Sequence, residues 1–132
     1  MGAKQNLNYH IVLVSKYRNR CFSGIEKSVL EAFREAEKKS SFTIKKIAVE
    51  NGDHVHLVIR TTGTYALSKT VSRIKTLTAH YLWSKHPDHL KKHYWSGEKK
   101  LWGGGYYAAT LGDVSMDQVE KYLQKQGHWK LI

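Results

Sequence analysis

The dipeptide Asn51-Gly52 lies between two apolar runs, residues 42–50 and residues 55–59. Asn-Gly at such a junction is a strong hairpin signal, because both residues tolerate the positive φ that tight inter-strand turns demand. The pattern predicts a strand over 42–50, a turn, and a strand from His54 to about Arg60. Side chains alternate faces along a strand, so His54 and His56 share one face while Val55 points the other way into a core. Two adjacent imidazoles at the mouth of a strand make half of a divalent-metal site. A His-x-His pair also arises by chance in a chain with 8 histidines, so a second feature has to decide.

Apolar spacing sets out the remaining elements. Residues 8–15 are β-branched and aromatic and predict a strand buried on both faces. Ile25, Val29, Phe33 and Ala36 recur at helical spacing, predicting a helix from Ser23 or Gly24 to about Ser40. Leu67, Val71, Ile74, Leu77 and Leu82 predict a second helix over roughly Tyr65 to Lys85, ended by Pro87, the single proline. Residues 86–105 predict a basic, aromatic loop, and residues 106–111 a fourth strand. Ser115 caps a last helix, about 115–126, with Asp117 and Glu120 near its positive end. The order strand, helix, strand, strand, helix, strand is the split βαβ pattern. The expected class is α+β: a ferredoxin-like, RRM-like antiparallel sheet with helices on one face, plus a C-terminal helix. At 132 residues this makes one domain, 1–132.

Charge narrows the partners. Lys and Arg total 22 against 11 acidic residues, a formal net charge of +11, and a domain this basic meets polyanions, nucleic acid above all. The 4 Trp and 8 Tyr add flat faces on which unpaired bases can stack. Lys16 and Arg18, after the first strand, suit phosphate contacts or a solvated loop. Lys69, Arg73, Lys75 and His80 form a basic stripe on the second helix, suited to a phosphate backbone or to solvent. Lys99, Lys100 and Trp102 place cations and a ring together in the loop. The lone Cys21 excludes an internal disulfide and fits a reducing cytoplasm. With neither a membrane-length apolar run nor a signal-peptide core, the expected location is the cytoplasm.

The second feature is near the C-terminus. Tyr122 and Gln126 are four residues apart and share a helix face. Two imidazoles and one amide oxygen form an incomplete set around a divalent cation, leaving positions for substrate oxygens. A tyrosine one turn away is placed to attack a phosphodiester and store its bond energy as a phosphotyrosine. Asp53 is either a partner that orients a histidine or a turn residue.

These elements resemble the small single-tyrosine HUH transposases, the TnpA type that mobilises compact bacterial and archaeal insertion sequences. The matching pieces run nearly end to end: Tyr9-His10 with Lys16-Tyr17-Arg18, Asn51 through His56, Leu101-Trp102, Tyr106-Tyr107, Thr110 to Gly112, and Val119 to Tyr122 with Gln126. The resemblance implies that His54, His56 and Gln126 bind Mg²⁺ or Mn²⁺ and that Tyr122 is the nucleophile. It also implies a homodimer acting on single-stranded DNA with hairpin ends, in which the tyrosine helix can complete the partner's active site. The expected reaction is metal-dependent cleavage and rejoining at insertion-sequence ends through a 5′-phosphotyrosine.

Two other readings account for part of the sequence. A replication initiator or conjugative relaxase shares the chemistry but usually carries further domains. A non-catalytic nucleic-acid-binding module of ferredoxin-like fold explains the charge and the aromatics, but leaves His54, His56, Tyr122 and Gln126 as coincidence. A two-histidine phosphoesterase needs two His-x-Thr/Ser motifs, which the sequence lacks.

Overall fold

In a computed structural model, which describes residues 6–62, 66–94 and 98–111, Asn51 and Gly52 both adopt positive φ, at 56° and 71°. The turn they form joins β2 (Phe42–Glu50) to β3 (His54–Thr62) as an antiparallel pair, with Glu50 opposite His54 and Ala48 opposite His56. Gly52 is required twice over. Its φ suits glycine, and a Cβ there would meet the Ser23 Cβ at 3.2 Å.

β1 (Asn6–Val14) pairs antiparallel with β3 on one side and with β4 (Tyr107–Leu111) on the other, giving the sheet order β2-β3-β1-β4. Helix α1 (Glu26–Lys38) follows β1, and α2 (Leu67–Lys85) follows β3. This is the α+β split βαβ arrangement expected from the order of elements. No helix among the described residues is long and apolar enough to cross a membrane.

One face of the sheet is the core. Ile11, Leu13, Val55, Leu57 and Ile59 are completely buried and pack with Val29, Ala32 and Phe33 of α1 and Ile74 and Leu82 of α2. Each strand supplies alternate residues, and each helix supplies positions three or four apart. The opposite face of β1 is only half-buried at His10, Val12 and Val14, so this strand is not sealed on both sides as its apolar run suggests.

A β-bulge between Ile44 and Lys46 interrupts the β2–β3 register. Glu37, at the end of α1, accepts the Ile44 N–H at 2.7 Å and so satisfies a donor at the irregularity while tying helix to strand. The stretch expected to be one long loop after residue 85 contains a short helix, α3 (Pro87–Lys91). Proline ends α2 yet is pre-set for the first helical position of the next turn, and Leu90 buries the new turn. The predicted helix at about 115–126 lies outside the described residues.

Trp102 follows this segment and packs inward. Its ring lies 5.1 Å from Phe22 and 5.9 Å from Phe33, and its Nε1–H donates to Thr78 Oγ1 at 2.9 Å. Thr78 is fully buried and in turn donates to the Ile74 carbonyl at 2.7 Å. Thr78→Val keeps the shape but leaves the indole N–H without its acceptor. It is expected to cost about 1–3 kcal/mol, measured as a lower urea midpoint with unchanged slope; an unchanged midpoint would show that the bond contributes nothing.

Candidate metal centre

The hairpin register places Glu50, His54 and His56 on the sheet face opposite α1 and α2. Glu50 lies directly opposite His54, and His56 is one pleat along β3. Glu50 Oε1 is 3.0 Å from His54 Nε2 and 3.6 Å from His56 Nε2. One ligand atom from each of the three residues falls within 4.8 Å of the others, which is the spacing of a cluster able to share one cation.

Both imidazoles are held from behind. Asp53 Oδ1 is 2.6 Å from His54 Nδ1 and Glu50 Oε1 is 3.0 Å from its Nε2; a carboxylate only accepts, so Asp53 takes the Nδ1–H bond and fixes the ring with its Nε2 edge toward Glu50. His10 Nε2 is 3.1 Å from His56 Nδ1, with the two rings stacked 5.4 Å apart, which turns the His56 Nε2 toward Glu50. Burial, and secondarily the neighbouring His56, hold His10 below the ordinary imidazole range, so it stays neutral at neutral pH. Partners of this kind fix tautomer and orientation in metal-binding histidines.

The residues present fit a divalent cation. Among the described residues the second carboxylate oxygen of Glu50, Oε2, is buried with no hydrogen-bond partner, a costly arrangement that a cation would relieve. Two imidazole nitrogens and a carboxylate suit Mg²⁺ or Mn²⁺ only in part, and they suit softer metals equally well.

The structure brings together some of the residues singled out from the sequence and separates others. His54, His56 and Asp53 converge. Arg18 reaches the edge of the cluster, its Nε 3.7 Å from Asp53 Oδ2. Lys16 lies in the same turn after β1, its backbone N–H donating to the Leu101 carbonyl at 2.8 Å. Lys69 and Arg73 sit elsewhere, on α2, where they line a cavity of about 470 Å³ with Lys39 and Ser40. Arg73 is anchored there, donating to the Lys39 carbonyl at 2.7 Å. Lys75 is engaged with the glycine loop instead, donating to the Gly103 and Gly105 carbonyls at 2.9 and 2.7 Å, and burial lowers its pKa. Lys100 pairs with Glu98 at 3.6 Å, Lys99 is exposed beside His80 and Trp83, and Trp102, partly buried, packs against the core through the contacts described above. Tyr122 and Gln126 lie outside the described residues.

Glu50 and His10 were not singled out from the sequence. Glu50 was detectable: a short Asn-Gly connection that starts β3 at His54 puts residue 50 directly across from it. His10 needed the β1–β3 register, a pairing between residues far apart in the chain.

This geometry yields a direct expectation. Glu50→Gln, His10→Ala and Asp53→Asn each weaken Mn²⁺ binding about 10–100-fold by titration calorimetry. Affinity in the unaltered protein falls as pH drops, because proton and cation compete for the same Nε2 atoms. Unchanged affinity in all three variants would remove Glu50 from the site and the two supports from any role.

Comparison with known proteins agrees with the fold and with the family resemblance. Residues 3–126 match the family model for IS200-like transposases. The chain is 26% identical over 126 residues to the ISDra2 transposase TnpA of Deinococcus radiodurans, covering 95% of this chain and 87% of that protein. A crystal structure of a Deinococcus radiodurans R1 protein described as a transposase superposes with a TM-score of 0.73 at 24% identity, covering 96% of this chain and 95% of the other. A REP-associated tyrosine transposase bound to a REP hairpin superposes with a TM-score of 0.62 at 14% identity, covering 96% and 70%. With nearly its whole length matched, the chain belongs to the IS200-like transposase family.

Proposed function

We propose that this transposase cleaves and rejoins single-stranded DNA at the ends of an insertion sequence through a covalent 5′-phosphotyrosine on Tyr122. The observation that supports this most is the convergence of Glu50, His54 and His56 on one sheet face, each imidazole oriented by its own partner. A nucleic-acid-binding module has no need of that arrangement.

His54 and His56, with Glu50 or Gln126 as the oxygen donor, would hold a divalent cation, Mg²⁺ or Mn²⁺, that supplies Lewis-acid polarisation of the scissile phosphate. The Tyr122 phenol oxygen attacks phosphorus and gives up its proton. The P–O3′ bond breaks, and the departing oxygen takes up a proton to become a free 3′-hydroxyl. The 5′-phosphate stays esterified to Tyr122. Rejoining is the reverse: a 3′-hydroxyl attacks the phosphotyrosine, forms the new phosphodiester and restores the phenol. No nucleotide cofactor is consumed, because the broken bond and the stored bond are close in energy.

Hairpin ends are the proposed recognition element, and the REP-associated tyrosine transposase of similar fold is bound to a REP hairpin. By family resemblance the enzyme works as a homodimer in the cytoplasm, with the tyrosine helix of one subunit able to complete the partner's site. Arg18, beside Asp53, and Lys16, in the same turn, are proposed to hold the phosphates on either side of the cleaved bond. The whole of residues 1–132 forms the one transposase domain.

The test uses labelled single-stranded DNA carrying the element ends, with and without Mg²⁺ or Mn²⁺, resolved under denaturing conditions. A metal-dependent covalent protein–DNA adduct is expected with the unaltered chain. Tyr122→Phe is expected to lose the adduct while keeping DNA affinity within about two-fold, since only one hydroxyl is removed. Adduct formation by Tyr122→Phe would reassign the nucleophile, and tight binding without any adduct would favour the binding module.

A further inference from the structure

The turn that leaves β1 is strained, and the strain is in an unusual place. Tyr17 and Arg18 are consecutive non-glycine residues with positive φ, at 63° and 53°. Such conformations cost free energy and persist only where surrounding bonds over-determine them, most often at functional sites. Here the bonds are present. The Arg18 N–H donates to the Ser15 carbonyl, the Ser15 hydroxyl to the Asn19 carbonyl, and the Asn19 amide to the His93 carbonyl. Ser15 itself is fixed by donating its N–H to the Asp53 carbonyl at 2.9 Å, on the turn that carries the metal cluster.

What this scaffold presents is a ring. Tyr17 is 65% exposed, the most exposed large hydrophobic residue among those described, although Phe22 a few residues later is completely buried. The ammonium of Lys16 lies 5.3 Å from its ring centroid. Beside it is a cavity of about 460 Å³ lined by Tyr17, Asn19, Lys92, His93 and Tyr94. The cavity thus offers an aromatic plane, two cations at its margins and polar side chains on its wall. A peptide or lipid would make little use of that mixture, whereas an unpaired nucleotide offers a π-face, a phosphate and hydrogen-bonding edges.

We propose that Tyr17 is a stacking platform for one unpaired base of the single-stranded DNA, held in the Asn19–His93 cavity within a few nucleotides of the scissile phosphate. The proposal rests on the single-stranded-DNA reading above. Stacking here sets the position of the strand over Glu50, His54 and His56, with Lys16 and Lys92 taking the flanking phosphates. Tyr17 is a positioning residue and takes no part in bond making.

The experiment places 2-aminopurine at successive positions of the single-stranded substrate and follows its fluorescence on binding, alongside DNA and Mn²⁺ affinities. The unaltered chain and Tyr17→Phe are expected to quench the probe at one position and to bind DNA equally. Tyr17→Ala and Tyr17→Gly are expected to lose that quench and roughly ten-fold or more in DNA affinity, with Mn²⁺ affinity unchanged. Tyr17→Gly separates ring from backbone, because glycine adopts the left-handed conformation without penalty and its melting temperature should not fall. Quenching and affinity that survive in Tyr17→Gly would overturn the platform, as would a parallel loss of Mn²⁺ affinity. An unaltered chain that neither binds single-stranded DNA nor forms the covalent adduct would fail the functional reading itself, and the platform with it.

Discussion

The pairing of Glu50 with His54 across the β2–β3 hairpin is the contact on which the candidate centre depends. A slip of one residue would send His54 and His56 to the face covered by α1 and α2 and Val55 and Leu57 to the opposite one. Two devices prevent it. The Asn51-Gly52 turn, with both residues at positive φ, fixes the connection, and the complete burial of Val55, Leu57 and Ile59 penalises any register that exposes them. Core packing on one face therefore positions polar chemistry on the other.

That division extends across the sheet. The helix side carries the apolar contacts of α1 and α2, while His10, Glu50, His54 and His56 occupy the other side close to the hairpin. The exit of β1 is bound to this same end: Ser15 donates to the Asp53 carbonyl, and Arg18 approaches the Asp53 carboxylate. Asp53 thus connects three things at once, the turn, the strand exit and the His54 tautomer. Basic residues are divided between the two sides. Arg18 adjoins the centre through Asp53, with Lys16 in the same turn, whereas Lys69 and Arg73 line a separate cavity on the helix layer. DNA that engaged both would have to pass around the edge of the sheet.

Much of this was legible from residue order alone. Hairpin, strand alternation and helix spacing are local signals, and they place His54 and His56 on one face and predict the four strands and two main helices. The misses share a cause. Lys75 looked like part of a phosphate-binding stripe, but burial and two loop carbonyls claim its ammonium. Trp102 looked like a base-stacking ring and instead fills space between Phe22 and Phe33. Their partners lie in distant parts of the chain, so spacing along the sequence carries no trace of them. His10 is hidden for the same reason, since its contact with His56 exists only once β1 and β3 are paired. Pro87 misled in the opposite direction: it stops α2 as expected, but proline also suits the start of α3.

The most direct test of the central claim is anomalous diffraction from crystals soaked in Mn²⁺. The account predicts one strong peak at ligand distance, about 2.0–2.3 Å, from the Nε2 atoms of His54 and His56, with an oxygen donor completing the inner face. A peak elsewhere on the molecule, or density showing the two histidines turned away from each other with no ion between them, would contradict it.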